Sequence, residues 1–330
     1  MKIYRGTAQA ADFGPAALTI GNFDGLHCGH RRILRRTCEL AAEKGLKASV
    51  LTFDPHPTQV VAPERAPRLM TTPDERCRLM EAEGIQQVLI LPFTPEVARL
   101  SPEEFTRSLL VERLGVRAVV VGDNFRFGHR QAGDVEVLRD LGSRYGFQVE
   151  ALAALWCRGR KVSSSTVREL VMTGQVGMAA RLQERPFPLE GEVVPGHGVG
   201  RRQTVPTLNL STRCDVIPAT GVYVTRTRDL EDGRGWDSVT NIGYRPTFGD
   251  ATEMTIETFL LGGLEGAAPR RIRVEFLRRL RAEKKFATAD DLKAQIARDV
   301  ARAQTWFRRV SAWIAGPDLG GCRRNRCVIP

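Results

Sequence analysis

Short apolar runs alternate with amphipathic stretches over residues 16–155. "AALTIG" (16–21), "KASVLTF" (47–53), "QVLIL" (87–91), "RAVVVG" (117–122) and "FQVEALA" (147–153) are strand-length and mostly apolar. Between the first two, Ile33, Leu34, Cys38 and Ala41 recur at helical spacing, which predicts a helix from about Leu26 to Glu43. "TPDERCRLMEAEG" (72–84) has Pro73 just inside a Thr72 cap and Gly84 at its end. "SPEEFTRSLLVERLG" (101–115) opens with a capping box, Ser101 and Glu104. "GDVEVLRDLGSRYG" (133–146) is a further helix. Buried strands alternating with amphipathic helices predict a doubly wound parallel sheet covered on both faces. Ligands of such sheets bind beyond the carboxyl ends of the strands. "GNFDGLH" and "GDNFRFG" both lie at such ends.

The pattern changes near residue 185. Proline, glycine and two-residue alternation dominate "ERPFPLEGEVVPGHGVGRRQTVPTLNL". "GVYVTRT" (221–227), "SVTNIGY" (238–244), "TIETFLL" (255–261) and "RIRVEFL" (271–277) follow as strands between turns. This predicts a small antiparallel barrel. A helix from about Thr288 to Trp313 closes it. The expected organisation is an α/β domain at 1–184, a barrel domain with a C-terminal helix at 185–315, and a mobile tail at 316–330.

Composition narrows the function classes. The apolar runs fall far short of the roughly 20 residues of a membrane helix, and the N-terminus shows no apolar core of a secretory signal. Seven scattered cysteines without a C-x-x-C pattern suggest reduced thiols and a cytoplasmic protein, with neither a disulfide framework nor a zinc site. The net charge is +11, and residues 270–310 hold thirteen Arg/Lys against five Asp/Glu. That stretch reads either as a solvated basic face or as a surface near nucleotide phosphates. It lacks the aromatic interleaving of a nucleic-acid module, so no nucleic-acid partner is expected.

The chain has five histidines, and two of them, His27 and His30, sit in "GNFDGLHCGH" (21–30). A helix starting near Leu26 would turn its unpaired N–H groups toward the top edge of the sheet and form an anion site. His27 and His30 would share one face of that first turn. Gly29 would keep the approach open for a phosphate. No P-loop sequence occurs anywhere in the chain. "KVSSSTVREL" (161–170) places Ser163, Ser164 and Ser165 at the start of a helix carrying Arg168. Such hydroxyls cap a helix, and they can also hold a phosphate while Arg168 neutralises a leaving pyrophosphate.

Taken in order, "GNFDGLHCGH", "FDPHP" (53–57), "GDNFRFGHRQAGD" (122–134) and "VSSSTVREL" resemble the adenylyltransferase half of the prokaryotic bifunctional riboflavin kinase/FMN adenylyltransferases. "GEVVPGHGVGRRQTVPTLNL" (191–210), "SVTNIGYRPTF" (238–248) and "TIETFLL" resemble the kinase half. The likeness spans about residues 15–312. It implies riboflavin, FMN and ATP as substrates, FMN and FAD as products, Mg²⁺ as cofactor and no membrane partner. In the first half it implies ATP contacts from Gly21, Phe23, Asp24, His27, Gly29, His30, Ser164, Ser165 and Arg168, with His27 and His30 catalytic. It puts the flavin near Asn124 and Phe125, which could equally be a packing residue. In the second half it implies Glu257 as the base that deprotonates riboflavin, and Thr207 and Asn209 as oxygen ligands of Mg²⁺ and ATP. Gly198 and Gly200 would line a loop over the phosphates.

This chain departs from the family pattern at Thr204 (usually glycine), Leu208 (alanine) and Phe259 (histidine), and it lacks the aspartate of the stretch after the base. The alternative reading is a nucleotidyltransferase with an inactive or regulatory barrel.

Overall fold

The computed structural model describes residues 1–195, 207–246 and 252–314. The chain divides into two compact units, one up to Thr166 and one from Val167 on, and the helix Ser164–Met172 crosses the division.

The first unit is built on six parallel strands: β1 (Lys2–Arg5), β2 (Ala16–Ile20), β3 (Lys47–Asp54), β4 (Gln87–Pro92), β5 (Val116–Gly122) and β6 (Gln148–Leu152). Their order is β1-β4-β3-β2-β5-β6. All five residues of β2 are buried, because it lies in the middle of the sheet and is covered on both faces. On one face the helices Cys28–Lys44 and Pro73–Ala82 contribute Leu34, Leu40, Cys77 and Met80 to the core. On the other, Phe105, Leu110, Leu138 and Leu141 pack against the sheet. The winding direction reverses between β2 and β5, so a crevice opens beyond their carboxyl ends. The two motif loops, 21–27 and 123–129, follow these two strands.

The periodicity did not reveal β1. It is a four-residue edge strand on which only Tyr4 is buried, so it carries almost no hydrophobic signal. The capping box forms at Ser101 and Glu104 as expected, but Phe105–Arg113 then continues as a π-helix. A two-stranded ribbon, β7 (Trp156–Cys157) with β8 (Arg160–Lys161), leads into the serine run.

The second unit is a closed six-stranded barrel of β9 (Phe187–Val194), β10 (Thr207–Thr212), β11 (Gly221–Asp229), β12 (Gly235–Pro246), β13 (Thr252–Leu260) and β14 (Arg271–Ala282). Around the barrel the order is β10-β13-β12-β11-β14-β9. Two-residue alternation sorts the side chains. Ile256, Thr258 and Leu260 are buried, as are Leu208 and Leu210. The interior also holds Thr225, Thr227, Ser238, Thr240 and Thr258, joined by hydroxyl hydrogen bonds of 2.8–2.9 Å. Buried hydroxyls are tolerated there because each satisfies another. The helix Ala289–Ile314 seats Ala303 and Phe307 on Val222, Val224, Val239 and Leu277. Arg281 pairs with the buried Asp299 at 2.8 Å.

Closure of the barrel leaves little room where β9 and β10 meet. A Cβ on Gly191 would lie 1.8 Å from the Ser211 carbonyl oxygen. Gly191→Ala should therefore cost at least about 2 kcal/mol, read as a lowered midpoint in denaturant unfolding of the barrel.

Candidate active site

The histidine pair is set by the turn that follows β2. Phe23, Gly25 and Leu26 all take positive φ, at 51°, 73° and 37°. For Phe23 and Leu26 this is strained backbone, and both side chains are buried in the core. Asp24 stabilises the turn from within. Its buried carboxylate accepts hydrogen bonds from Met70 N and Thr71 N (both 3.0 Å) and from Thr71 Oγ1 (2.9 Å). Thr71 Oγ1 in turn accepts from Gly25 N at 3.1 Å. Arg76, also buried, donates from Nη1 to the Asn22 carbonyl at 2.8 Å. Burial lowers the pKa of Arg76 below the usual guanidinium range.

The helix starts at Cys28, two residues later than the pattern suggested, and His27 is its N-cap rather than part of its first turn. The left-handed turn at Leu26 ends the irregular segment one residue before the cap. His27 Nδ1 accepts from the His30 N–H at 3.2 Å, so one N–H expected to await an anion is already capped. The bond also fixes the tautomer: in neutral His27 the ring proton is on Nε2. The two rings do share a side. They stack with centroids 3.6 Å apart and planes 17° from parallel, and Phe23 packs edge-on to His30 at 5.1 Å.

Burial pulls the pKa of His27 down to about 4. It depresses that of His30 well below the usual histidine range, and the adjacent His27 adds to the effect. Both rings are neutral at pH 7. Gly29 matters here because a Cβ would sit 3.1 Å from His27 Nδ1. The glycine thus admits the His27 ring itself.

A cavity of about 270 Å³ opens beside the pair, lined in part by Gly21, Phe23, His27, Gly29, His30 and Ser164. Ser164 Oγ donates to the Asp24 carbonyl at 2.9 Å, tying the serine run to the turn. Ser163 also lines the cavity and accepts from Thr166 N at 3.2 Å. Ser165 is exposed and does not line it. Arg168 follows Ser164 by one helical turn on the helix Ser164–Met172. Two cations absent from the sequence expectations, Arg32 and Lys161, line this cavity.

A second, larger cavity of about 850 Å³ shares Gly21, Asn124 and Phe125 with the first. Its aromatic walls include Phe53, Phe93 and Phe105. Phe127 is a core residue, while the partly buried Phe125 stacks on it at 5.4 Å and borders both cavities. His56 lies 2.9 Å from the Asn22 amide. Since His56 Nδ1 accepts from Thr58 N, its neutral ring carries the proton on Nε2. The Asn22 amide oxygen therefore belongs toward His56.

In the barrel, Glu257 on β13 stands in register with Asn209 on β10 and Asn241 on β12. Directly paired residues share a face, so these three form a row on the outer wall. The next row is Thr207, Phe259 and Val239. Sequence reasoning named Glu257, Thr207 and Asn209, and the register brings them together. It missed Asn241, whose place depends on strand pairing. Leu261 extends the same side, its N–H bonded to the Asp237 carbonyl at 2.9 Å. There a cavity of about 510 Å³ is lined by Trp236, Asp237, Leu261, Gln304, Phe307 and Arg308, among others. Gly198, Gly200 and Thr204 lie outside the described residues.

Comparison with known proteins accounts for both halves. The FAD synthetase family model matches residues 9–166, and the riboflavin kinase model matches residues 183–307. The chain is 38% identical over 286 residues to a bifunctional riboflavin kinase/FMN adenylyltransferase of Pseudomonas fluorescens, covering 87% of this chain and 91% of that one. The chain belongs to the bifunctional riboflavin kinase/FMN adenylyltransferase family.

The family member of the same name from Escherichia coli K12 is 36% identical over 310 residues, 93% of this chain and 98% of that one. A crystal structure of a protein named as a macrolide-efflux protein, from Streptococcus pneumoniae, matches with a TM-score of 0.82 at 25% identity, over 93% of this chain and 100% of that one. That likeness carries the fold. Among the described residues here, no helix is long and apolar enough to cross a membrane.

The histidine burial has a measurable consequence. A histidine of ordinary pKa near 6.5 when unfolded and about 4 when folded stabilises the fold fully above pH 6.5. That stability is lost as the pH falls toward 4, by about 3 kcal/mol for His27. His27→Gln should flatten the decline in unfolding free energy between pH 6.5 and 4.5, measured by denaturant titration at each pH.

Proposed function

We propose that the chain makes FAD from riboflavin in two ATP-dependent steps, and that its two halves use different groups because the two steps need different chemistry. Riboflavin is phosphorylated to FMN, and FMN is then adenylylated to FAD with release of pyrophosphate. Adenylyl transfer is assigned to residues 1–184 and phosphorylation to residues 185–315. The observation that carries this reading is the separation of a neutral, stacked histidine pair in the parallel-sheet unit from a strand-borne carboxylate in the barrel. The five described cysteines form no disulfide, which fits a reducing cytoplasm.

In adenylyl transfer an FMN phosphate oxygen attacks the α-phosphorus of ATP, and the bond to the β-phosphate oxygen breaks. The nucleophile is already anionic, so no base is required. The work is positioning and charge stabilisation. His27 and His30 donate hydrogen bonds to phosphate oxygens as neutral rings. Arg32 and Lys161 supply positive charge at the cavity, and Arg168 is assigned to the leaving pyrophosphate. Ser164 and Asp24 hold the turn in place. ATP phosphates take the smaller cavity, and the FMN ring takes the larger one against Phe125. Gly21 and Asn124 stand where the two meet.

In the kinase step Glu257 takes the proton of the terminal ribityl hydroxyl while its oxygen attacks the γ-phosphorus of ATP, and ADP leaves. Leu261 follows the last residue of β13, four residues on from Glu257, about 13 Å. That span suits a ribityl chain ending at Glu257 with the flavin ring between Trp236 and Phe307. Thr207 and Asn209 offer hard oxygen donors on one face of β10, the chemistry Mg²⁺ prefers. Among the described residues no cluster of three His, Cys, Asp or Glu could hold a metal. An ion shared with the nucleotide phosphates fits that donor set, and when bound it neutralises phosphate charge.

Glu257→Gln should lower FMN formation from riboflavin at least about a hundredfold, while leaving FAD formation from FMN intact. Chromatography of products from riboflavin-fed and FMN-fed reactions separates the two activities. His30→Ala should do the reverse, abolishing FAD from FMN and sparing FMN from riboflavin. Wild-type protein that makes FAD from FMN but nothing from riboflavin would assign the barrel a regulatory role.

A further inference from the structure

A groove of about 660 Å³ runs between β14 and the helix Ala289–Ile314. Among the described residues its lining includes Arg278, Arg279, Arg302, Arg309, Thr305 and Trp306, and no aspartate or glutamate. None of these residues lines the cavity beside Trp236 and Phe307. Arg302, Thr305, Trp306 and Arg309 recur at helical spacing and so form one stripe.

Several arginines of this unit are neutralised. Arg273 pairs with Glu190, Arg281 with Asp299, and Arg234 with Asp229 and Asp232. Among the described residues, Arg278, Arg279, Arg302 and Arg309 have no carboxylate within ion-pair distance. Arg279 is held by its bond from Nη2 to the Thr220 carbonyl at 2.6 Å and lies over the Tyr223 ring. Its guanidinium packs beside Gly174 and Gly221, which do not line the groove. Arg278, Arg302 and Arg309 therefore leave three like charges uncompensated along one concavity, an arrangement that attracts an anion.

We infer that this groove is a binding site for a phosphate ester carrying a flat aromatic ring, separate from both reaction sites. Guanidinium groups pair with phosphate oxygens through two parallel hydrogen bonds. Among the described residues Trp306 supplies the aromatic surface of the groove, suited to stacking a flat ring. The volume is that of a small-molecule site. Adenine nucleotides and flavin nucleotides share this chemistry. A nucleic-acid strand would instead call for several aromatic platforms along a track.

The test is calorimetric titration of the full chain with ADP alone and with FMN alone, so that no turnover occurs. Wild type should show one more binding site than the double variant Arg302→Ala/Arg309→Ala for at least one of the two ligands, and that ligand identifies the source. Both side chains are exposed, so the variant should fold, and both catalytic activities should persist. Trp306→Phe and Trp306→Leu should weaken the extra site progressively, by about tenfold for Leu, while inorganic pyrophosphate binds the groove equally in all three. Superimposable titrations of wild type and double variant for both ligands would overturn the inference. So would a double variant that loses affinity only for single-stranded RNA, which would assign the groove to nucleic acid.

Discussion

The adenylyltransferase half depends on one buried carboxylate. Asp24 accepts two backbone N–H bonds and a hydroxyl from Met70 and Thr71, across 46 and 47 residues of chain. Hydrogen bonds to a charged group contribute about 1.5–3 kcal/mol each, enough to hold the positive φ of Phe23, Gly25 and Leu26 around it. Without that turn, β2 would run into its helix at a different angle. His27 would not become the N-cap, and its ring would not meet that of His30. Arg76 strengthens the same point from the other side by holding the Asn22 carbonyl.

The consequence of that placement is electrostatic. Two stacked imidazoles cannot both be positively charged at 3.6 Å without strong repulsion, and burial disfavours charge on either. In the proposed reaction the pair would meet phosphates as hydrogen-bond donors, while net charge would come from the arginine and lysine lining the cavity. Such a division suits a reaction whose nucleophile is already an anion. On the same proposal, proton abstraction would belong to the barrel, where Glu257 stands on a strand between two asparagines.

In the barrel the controlling constraint is register. Closure requires each strand to pair on both sides, so a slip of one residue would send Glu257 into the interior and Thr258 out. The interior hydroxyl network opposes that slip, because Thr258 bonds Thr240 and Thr240 bonds Thr225. The polar interior thus holds the outer row Asn209–Glu257–Asn241 in line.

Much of this was legible in the chain itself. Apolar runs without alternation predict a covered parallel sheet, and two-residue alternation after residue 185 predicts a barrel, because each pattern follows from how many faces of a strand are buried. The histidine pair, the serine run, Glu257, Thr207 and Asn209 were visible as local motifs. The edge strand β1 was not, since one buried residue in four leaves no pattern. Nor could local pattern show that His27 caps its helix, since that follows from a turn anchored 46 residues away. Arg32, Lys161 and Asn241 join their sites only through packing and strand pairing. Those contacts connect residues far apart in sequence, and no spacing rule along the chain encodes them.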